Sequence, residues 1–291
     1  VWTVIRRLAA PLLHLTVAVN RRVVATRRLE CLFIEKQTSN ESQMIRRAFL
    51  GTVAAGVLAR LPFAAGRSGV SHSLPQLNKE RFPMAYEWKF NPRPYSDEDA
   101  KKLLASVVDA ETTDWHYNTH HKGYVTALNN IEKALETADR AGANGNYSQI
   151  GELKRRTTWN HAGALLHDVY WEVMGGDGDP AKGPEVKAAI EKNFGSFDAW
   201  KADFKATAIS AKLSGWGVLT FDMLYSKRLL NVLVDEHHYG AIWGGIPLIP
   251  VDVFEHAYYH KDGPKRAAYI DNFLANLHWG RINDRYKKYA K

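Results

Sequence analysis

Apolar and polar positions follow two different periods along this chain. From residue 96 to about 171 the apolar residues recur every three or four positions, the spacing of a helix with one buried face. Ser96 precedes Asp97-Glu98-Asp99, which is an N-cap followed by acids that suit the helix dipole. The run 100–108 then carries Leu103, Leu104 and Val107. A second helix is expected over 114–138, with His116, His120 and Tyr124 at steps of four and a stripe of Leu128, Ile131 and Leu135 beyond them. Residues 139–147 read as a loop, and 147–171 as a third helix carrying Trp159, Leu165, Leu166, His167, Tyr170 and Trp171. Residues 175–180, Gly-Gly-Asp-Gly-Asp-Pro, form a hinge where a domain boundary is placed.

Two more helical patterns follow at 184–193 and 196–210, and then the period changes. The short apolar runs 215–222 and 228–235, separated by 223–227, predict a β-hairpin. The run 247–252 contains Pro247 and Pro250, which exclude helix and favour an edge strand. Closing helices are expected at 265–275 and 279–289. The reading is α+β: helices, a small sheet, then helices. The stretch 66–95, broken by Gly66, Gly69, Pro75, Pro83, Pro92 and Pro94, is loop-like. No repeat of 20–50 residues is present.

The net charge of +8 changes the picture less than it promises. Residues 1–65 hold ten Lys/Arg against three Asp/Glu, while 66–291 hold 29 against 28. The basic excess belongs to the leader, which argues against a nucleic-acid footprint on the folded body. The one cysteine, Cys31, lies in the leader too, so the body has no disulfide and no thiolate ligand.

The leader reads as targeting. From Met44, Arg46-Arg47 is followed by Phe49-Leu50 and an Ala/Gly/Val/Leu run that Arg60 ends. This resembles a bacterial twin-arginine export signal, with cleavage near Ala64 or Ala65, and its apolar run is too short to span a membrane. The expected location is periplasm or cell envelope; a mitochondrial presequence or a cytoplasmic protein is the alternative. Residues 1–43 precede the first methionine and contain three Arg-Arg pairs. They look like an overextended reading frame or a disordered prefix and are assigned no fold. The expected division is a leader over 1–65, a helical domain over 66–178 and an α/β domain over 179–291.

Candidate chemistry gathers in three places. Asp252 and His256 lie four residues apart where a strand gives way to a helix, so both can reach one point. His116 and His120 share one helical face, and His167 lies on an apolar face of the next helix. Three imidazoles and one carboxylate make a nitrogen–oxygen donor set suited to Fe or Mn as well as Zn. Trp115, Tyr117, Tyr124, Trp159, Tyr170, Trp171, Trp216, Phe254, Tyr258 and Tyr259 crowd the same segments. A di-iron carboxylate bundle would need Glu-x-x-His pairs on several helices, and these are lacking.

Four motifs in this order carry a family resemblance over roughly 85–290. They are His116-x-x-x-His120-His121-x-x-Tyr124-Val, Asn160-His-Ala-Gly-Ala-Leu-Leu-His167-Asp-Val-Tyr-Trp171, Ser214-Gly-Trp216-Gly, and Asp252-Val-Phe-Glu255-His256-Ala-Tyr-Tyr259. The chain resembles the iron/manganese superoxide dismutases. The resemblance implies a helical hairpin domain followed by an α/β domain with a small three-stranded antiparallel sheet. It implies one Fe or Mn ion per subunit on His116, His167, Asp252 and His256, with a solvent molecule as fifth ligand. Tyr124 and His120 would guard the substrate funnel and relay protons, and Trp171, Trp216 and Phe254 would line the metal pocket. Glu255 and Tyr259 would reach across a homodimer to the partner's ligand histidine and funnel histidine; a tetramer is also open. The implied substrate is superoxide.

The chain departs from the family pattern at informative places. The glutamine usual near the solvent ligand is missing: the iron-type position holds Gly163, and the manganese-type region reads Asp235-Glu236-His237-His238. Counting back from Asp252 favours His237 as the replacement, an ungapped count gives Glu236, and His238 is the third candidate. Phe254 stands where tryptophan is usual, and Gly263-Pro264 interrupts the segment after the last motif, although Arg266 and Tyr269 keep their spacing. A metal-binding homologue with little turnover is therefore the competing reading. Lys122, beside the first motif, is either a steering charge or a solvated lysine.

Overall fold

A computed structural model of the chain describes residues 86–291. The proposed export signal and the prefix lie outside the described residues. The described residues belong to one compact unit.

The chain opens with α1 (Asp97–Leu103), capped by Ser96, whose Oγ accepts from the Asp99 amide at 3.1 Å. Helix α2 (Ala110–Asp114) is capped in the same way by Asp109. It does not run on as an α-helix. Residues Trp115–His121 form a π-helical stretch before α3 (Lys122–Thr137) begins. The expectation was a single α-helix over 114–138. Four-residue steps drift around an α-helix, and a wider turn corrects that drift. The π stretch holds His116 and His120, in keeping with the frequency of such turns at functional sites.

Helix α3 buries Tyr124, Val125, Leu128, Ile131 and Leu135, one apolar stripe, and packs along α4 (Gln149–Val173). The buried face of α4 includes Asn160, Gly163, His167, Tyr170 and Trp171, so His167 points inward because its neighbours at three and four residues are core. Beyond Gly175–Pro180 come a short 3-10 turn (Pro180–Lys182), α5 (Pro184–Phe194) and α6 (Phe197–Ile209), the latter capped by Ser196.

The sheet has strand order β2-β1-β3 and is antiparallel throughout, with β1 (Gly215–Asp222), β2 (Leu229–Asp235) and β3 (Gly245–Asp252). Every residue of central β1 is buried, so both of its faces are covered. Gly217 turns toward α6, where an added Cβ would meet Ala208 Cβ at 2.6 Å. Its neighbour Trp216 therefore points to the opposite face, toward His167. The proline-bearing strand β3 is an edge, as its composition requires.

Helices α7 (Glu255–Asp262), α8 (Arg266–Ala275) and α9 (Trp279–Tyr289) close the chain. Gly263, at φ 57 and ψ −136, ends α7 in a conformation that other residues avoid. The Gly263-Pro264 interruption is thus a tight corner. It leaves Arg266 able to donate to the Ala211 and Leu213 carbonyls at 2.6 and 2.8 Å.

Candidate metal centre

Asp252 is the last residue of β3 and is fully buried. The Phe254 amide donates to its Oδ1 at 2.8 Å, which leaves Oδ2 free to face inward. That oxygen lies 3.1 Å from His116 Nε2, 3.5 Å from His167 Nε2 and 3.5 Å from His256 Nε2. The π stretch, α4, the end of β3 and the first turn of α7 each deliver one of these four side chains.

The four donor atoms lie within 4.8 Å of one another. Atoms bound at about 2.1 Å to one ion are spaced at about this range. The Nε2 atoms of His167 and His256 are buried without a hydrogen-bond partner among the described residues. Orphaned buried nitrogens are costly unless something fills the space between them. The donor set fits Fe or Mn: three nitrogens, one hard oxygen and no thiolate. His167 Nδ1 donates to the Gly163 carbonyl at 2.7 Å, which leaves the lone pair on Nε2 facing the cluster.

Ionisation agrees with this use. Burial lowers His116 to about 4 and holds His167 well below its usual range, so both imidazoles are neutral near pH 7. Burial alone would raise Asp252, but His256 and His116 beside it hold the carboxyl well below its usual range. Neutral imidazoles and an anionic carboxylate are the ligating forms.

Aromatic rings wall the cluster. Trp171 lies 5.0 Å from His116, Trp216 5.0 Å from His167 and Phe254 5.2 Å from His256, measured between ring centroids. His120 stacks flat on His256 at 4.0 Å. Of the three residues competing for the missing glutamine, only His237 faces the site. It is buried, its Nδ1 accepts from Trp216 Nε1 at 3.1 Å, and its Nε2 lies 2.8 Å from Tyr124 Oη. Burial lowers this imidazole to about 4. Glu236 points outward to Trp159 Nε1, and His238 lies against Tyr239.

Glu255 is exposed, and Tyr259 is 49% exposed on the same outer turns of α7. Neither reaches into the cluster of its own chain. Lys122 is exposed, donates to Asn118 Oδ1 and stands over the Phe90 and Tyr117 rings.

Two features escaped the sequence reading. Gly163 supplies more than an absent glutamine: a Cβ there would meet the Tyr124 ring at 2.9 to 3.1 Å, so the glycine makes room for the tyrosine. His121 is buried, pairs with Asp168 at 3.0 Å and stacks on His167 at 5.5 Å. The adjacent His120-His121 and His167-Asp168 pairs were the available signal.

Comparison with known proteins agrees with this geometry. Residues 87–175 match the alpha-hairpin domain of the iron/manganese superoxide dismutases, and 181–285 match their C-terminal domain. The chain is similar to superoxide dismutase [Mn] 2 of Haloferax volcanii, 38% identical over 205 residues, which are 70% of this chain and 97% of that protein. It is also similar to superoxide dismutase [Mn] 1 of Halobacterium salinarum, 37% identical over 213 residues, covering 70% and 98%. Superoxide dismutase [Fe] of Aquifex aeolicus is 38% identical over 189 residues, covering 63% and 86%.

Proposed function

The chain belongs to the iron/manganese superoxide dismutase family, and from that premise we infer that it converts superoxide to dioxygen and hydrogen peroxide with one Fe or Mn ion per subunit. His116, His167, Asp252 and His256 would hold the ion. The observation that carries this reading is the convergence of three imidazole Nε2 atoms on one Asp252 oxygen. When bound, the ion supplies the one-electron exchange that no side chain offers.

The protein's own residues supply the rest. Asp252 contributes one negative charge to an otherwise neutral donor set. Trp216 donates to His237 Nδ1, so the imidazole proton sits on Nε2 and is given to Tyr124 Oη. The phenol then keeps its own proton to donate inward. Burial raises Tyr124, which keeps that proton in place at neutral pH. Trp171, Trp216 and Phe254 exclude larger solutes from the pocket.

Fe and Mn are proposed to be interchangeable. Gly163 offers no amide, His237 offers an imidazole in place of the second-domain amide, and similar relatives carry either metal in their names. A homodimer is proposed because Glu255 and Tyr259 are exposed beside His256, whose side chain is itself 20% exposed. Export through the twin-arginine leader rests on Arg46 and Arg47. Loss of that sequence pair by Arg→Lys exchange should retain the protein in the cytoplasmic fraction, and unchanged fractionation would sink the export reading. The test of function is superoxide removal by the Fe- and Mn-reconstituted protein at full occupancy. Inactivity with both metals would overturn it.

A further inference from the structure

Glu236 is one of two non-glycine residues with left-handed backbone among the described residues, at φ 52; the other is Lys227. A residue with a Cβ avoids this region unless its surroundings impose it. Here they do. The Glu236 amide donates to the Ser214 carbonyl at 2.9 Å, and Asp235 and Tyr239 exchange backbone bonds at 2.8 and 3.2 Å. The turn throws His237 inward and the Glu236 side chain outward. Glu236 Oε2 accepts from Trp159 Nε1 at 3.0 Å, which joins the loop after β2 to α4 across 77 residues of sequence.

The choice of partner is informative. Arg156 borders the same surface cavity, of about 560 Å³, yet its guanidinium donates to Glu152 at 2.8 Å and leaves Glu236 to the indole. The Trp159 ring stands edge-on to His237 at 4.7 Å and to Tyr124 at 5.3 Å. Phe254 stacks on His237 at 4.6 Å and 14°. The His237 imidazole is thus caged by rings: Trp216 and Tyr124 bond to the imidazole itself, and Trp159 bonds to Glu236, the residue before it in the turn.

We propose that the Trp159–Glu236 hydrogen bond is a tether that positions His237 and, through it, Tyr124 at the open side of the metal site. Glu236 and Trp159 are positioning residues; neither touches the cluster. This inference rests on the dismutase reading for its consequence in turnover. Its geometry can be tested without turnover.

The test uses the metal-loaded full chain and azide as a small-anion probe, with the dissociation constant read from visible absorption. Trp159→Phe keeps an aromatic ring and removes the donor. Glu236→Ala removes the acceptor, and Glu236→Gln keeps an accepting oxygen without the charge. Trp159→Phe and Glu236→Ala should each change the azide Kd by about threefold or more, in the same direction, and the double variant should be no worse than either alone. Glu236→Gln should stay within about twofold of wild type, because the bond survives. Unchanged Kd in Trp159→Phe and Glu236→Ala overturns the tether, as does Glu236→Gln behaving like Glu236→Ala. A fall in melting temperature with no change in Kd overturns it too, since that is what a surface brace gives. A wild type that binds azide but does not remove superoxide would sink the dismutase reading alone.

Discussion

Trp216 donates its indole N–H to His237 Nδ1 at 3.1 Å, and this one bond sets which way the neighbouring proton points. With Nδ1 accepting, a neutral imidazole carries its hydrogen on Nε2, where Tyr124 Oη lies at 2.8 Å. Trp216 is fully buried between Val234 and Asp252 in the sheet register, so the indole has no freedom to look elsewhere.

Trp216→Phe removes the donor while keeping most of the ring volume. His237 is then free to change tautomer, and Tyr124 loses its fixed donor. Activity of the metal-loaded protein should fall by about tenfold or more, the usual scale for losing a group that orients a site from outside. Full activity in a folded Trp216→Phe protein would show that the tautomer does not matter.

His237→Gln exchanges one ring N–H for two amide hydrogens. An imidazole held by Trp216 has a single hydrogen, already directed at Tyr124, so it has none left for solvent at the metal. A carboxamide has one for each. The ratio of Fe-loaded to Mn-loaded activity should therefore move by about tenfold. An unchanged ratio in reconstituted protein would remove His237 as the determinant of metal preference.

Local spacing made part of the four-residue metal set legible, and the family resemblance supplied the rest, including His116 over His120. Asp252 and His256 bracket one strand-to-helix turn, and His167 falls on a core face of α4. The prolines of β3 announced an edge strand. What stayed hidden depends on contacts distant in sequence. Nothing local distinguishes Glu236, His237 and His238; the left-handed turn at Glu236 and the Trp216 indole do. The π stretch at Trp115–His121 was hidden because its residues also suit an α-helix.

Gly163→Ala tests the space that glycine leaves for Tyr124. Alanine favours a helix over glycine by about 1 kcal/mol. Here its Cβ would press on the Tyr124 ring at 2.9 to 3.1 Å, near the ring's attachment to the backbone where it cannot swing aside. Overpacking costs about 1–3 kcal/mol and outweighs the helix gain, so a net loss of about 1 kcal/mol is expected in urea denaturation. Activity should fall with it, because Tyr124 moves. A more stable protein with full activity would refute the steric role.

Removing the α7 surface groups tests the subunit contact. Glu255→Ala combined with Tyr259→Phe deletes two exposed polar groups without touching the core. Light scattering should show dissociation at concentrations where the wild type is dimeric. A wild type that is monomeric would exclude the dimer reading, and a tetramer insensitive to both changes would place the contact elsewhere.

His237 also predicts how stability depends on pH. Burial lowers it from 6.5 to about 4, so the folded protein resists a proton that the unfolded chain accepts. Above about pH 6.5 neither state is protonated there, and the residue adds no pH dependence. As pH falls from 6.5 to about 4 the unfolded state gains the proton first, and wild type loses stability. The full loss is about 3 kcal/mol, and it levels off once the folded imidazole is protonated as well. His237→Gln lacks this titration, whereas His116 titrates in both proteins and cancels from the difference. Urea denaturation of the metal-free proteins between about pH 7 and about pH 4.5 should show wild type losing ground to the glutamine variant as acid is added. A stability difference that stays constant across that window would mean the imidazole is not held neutral by burial.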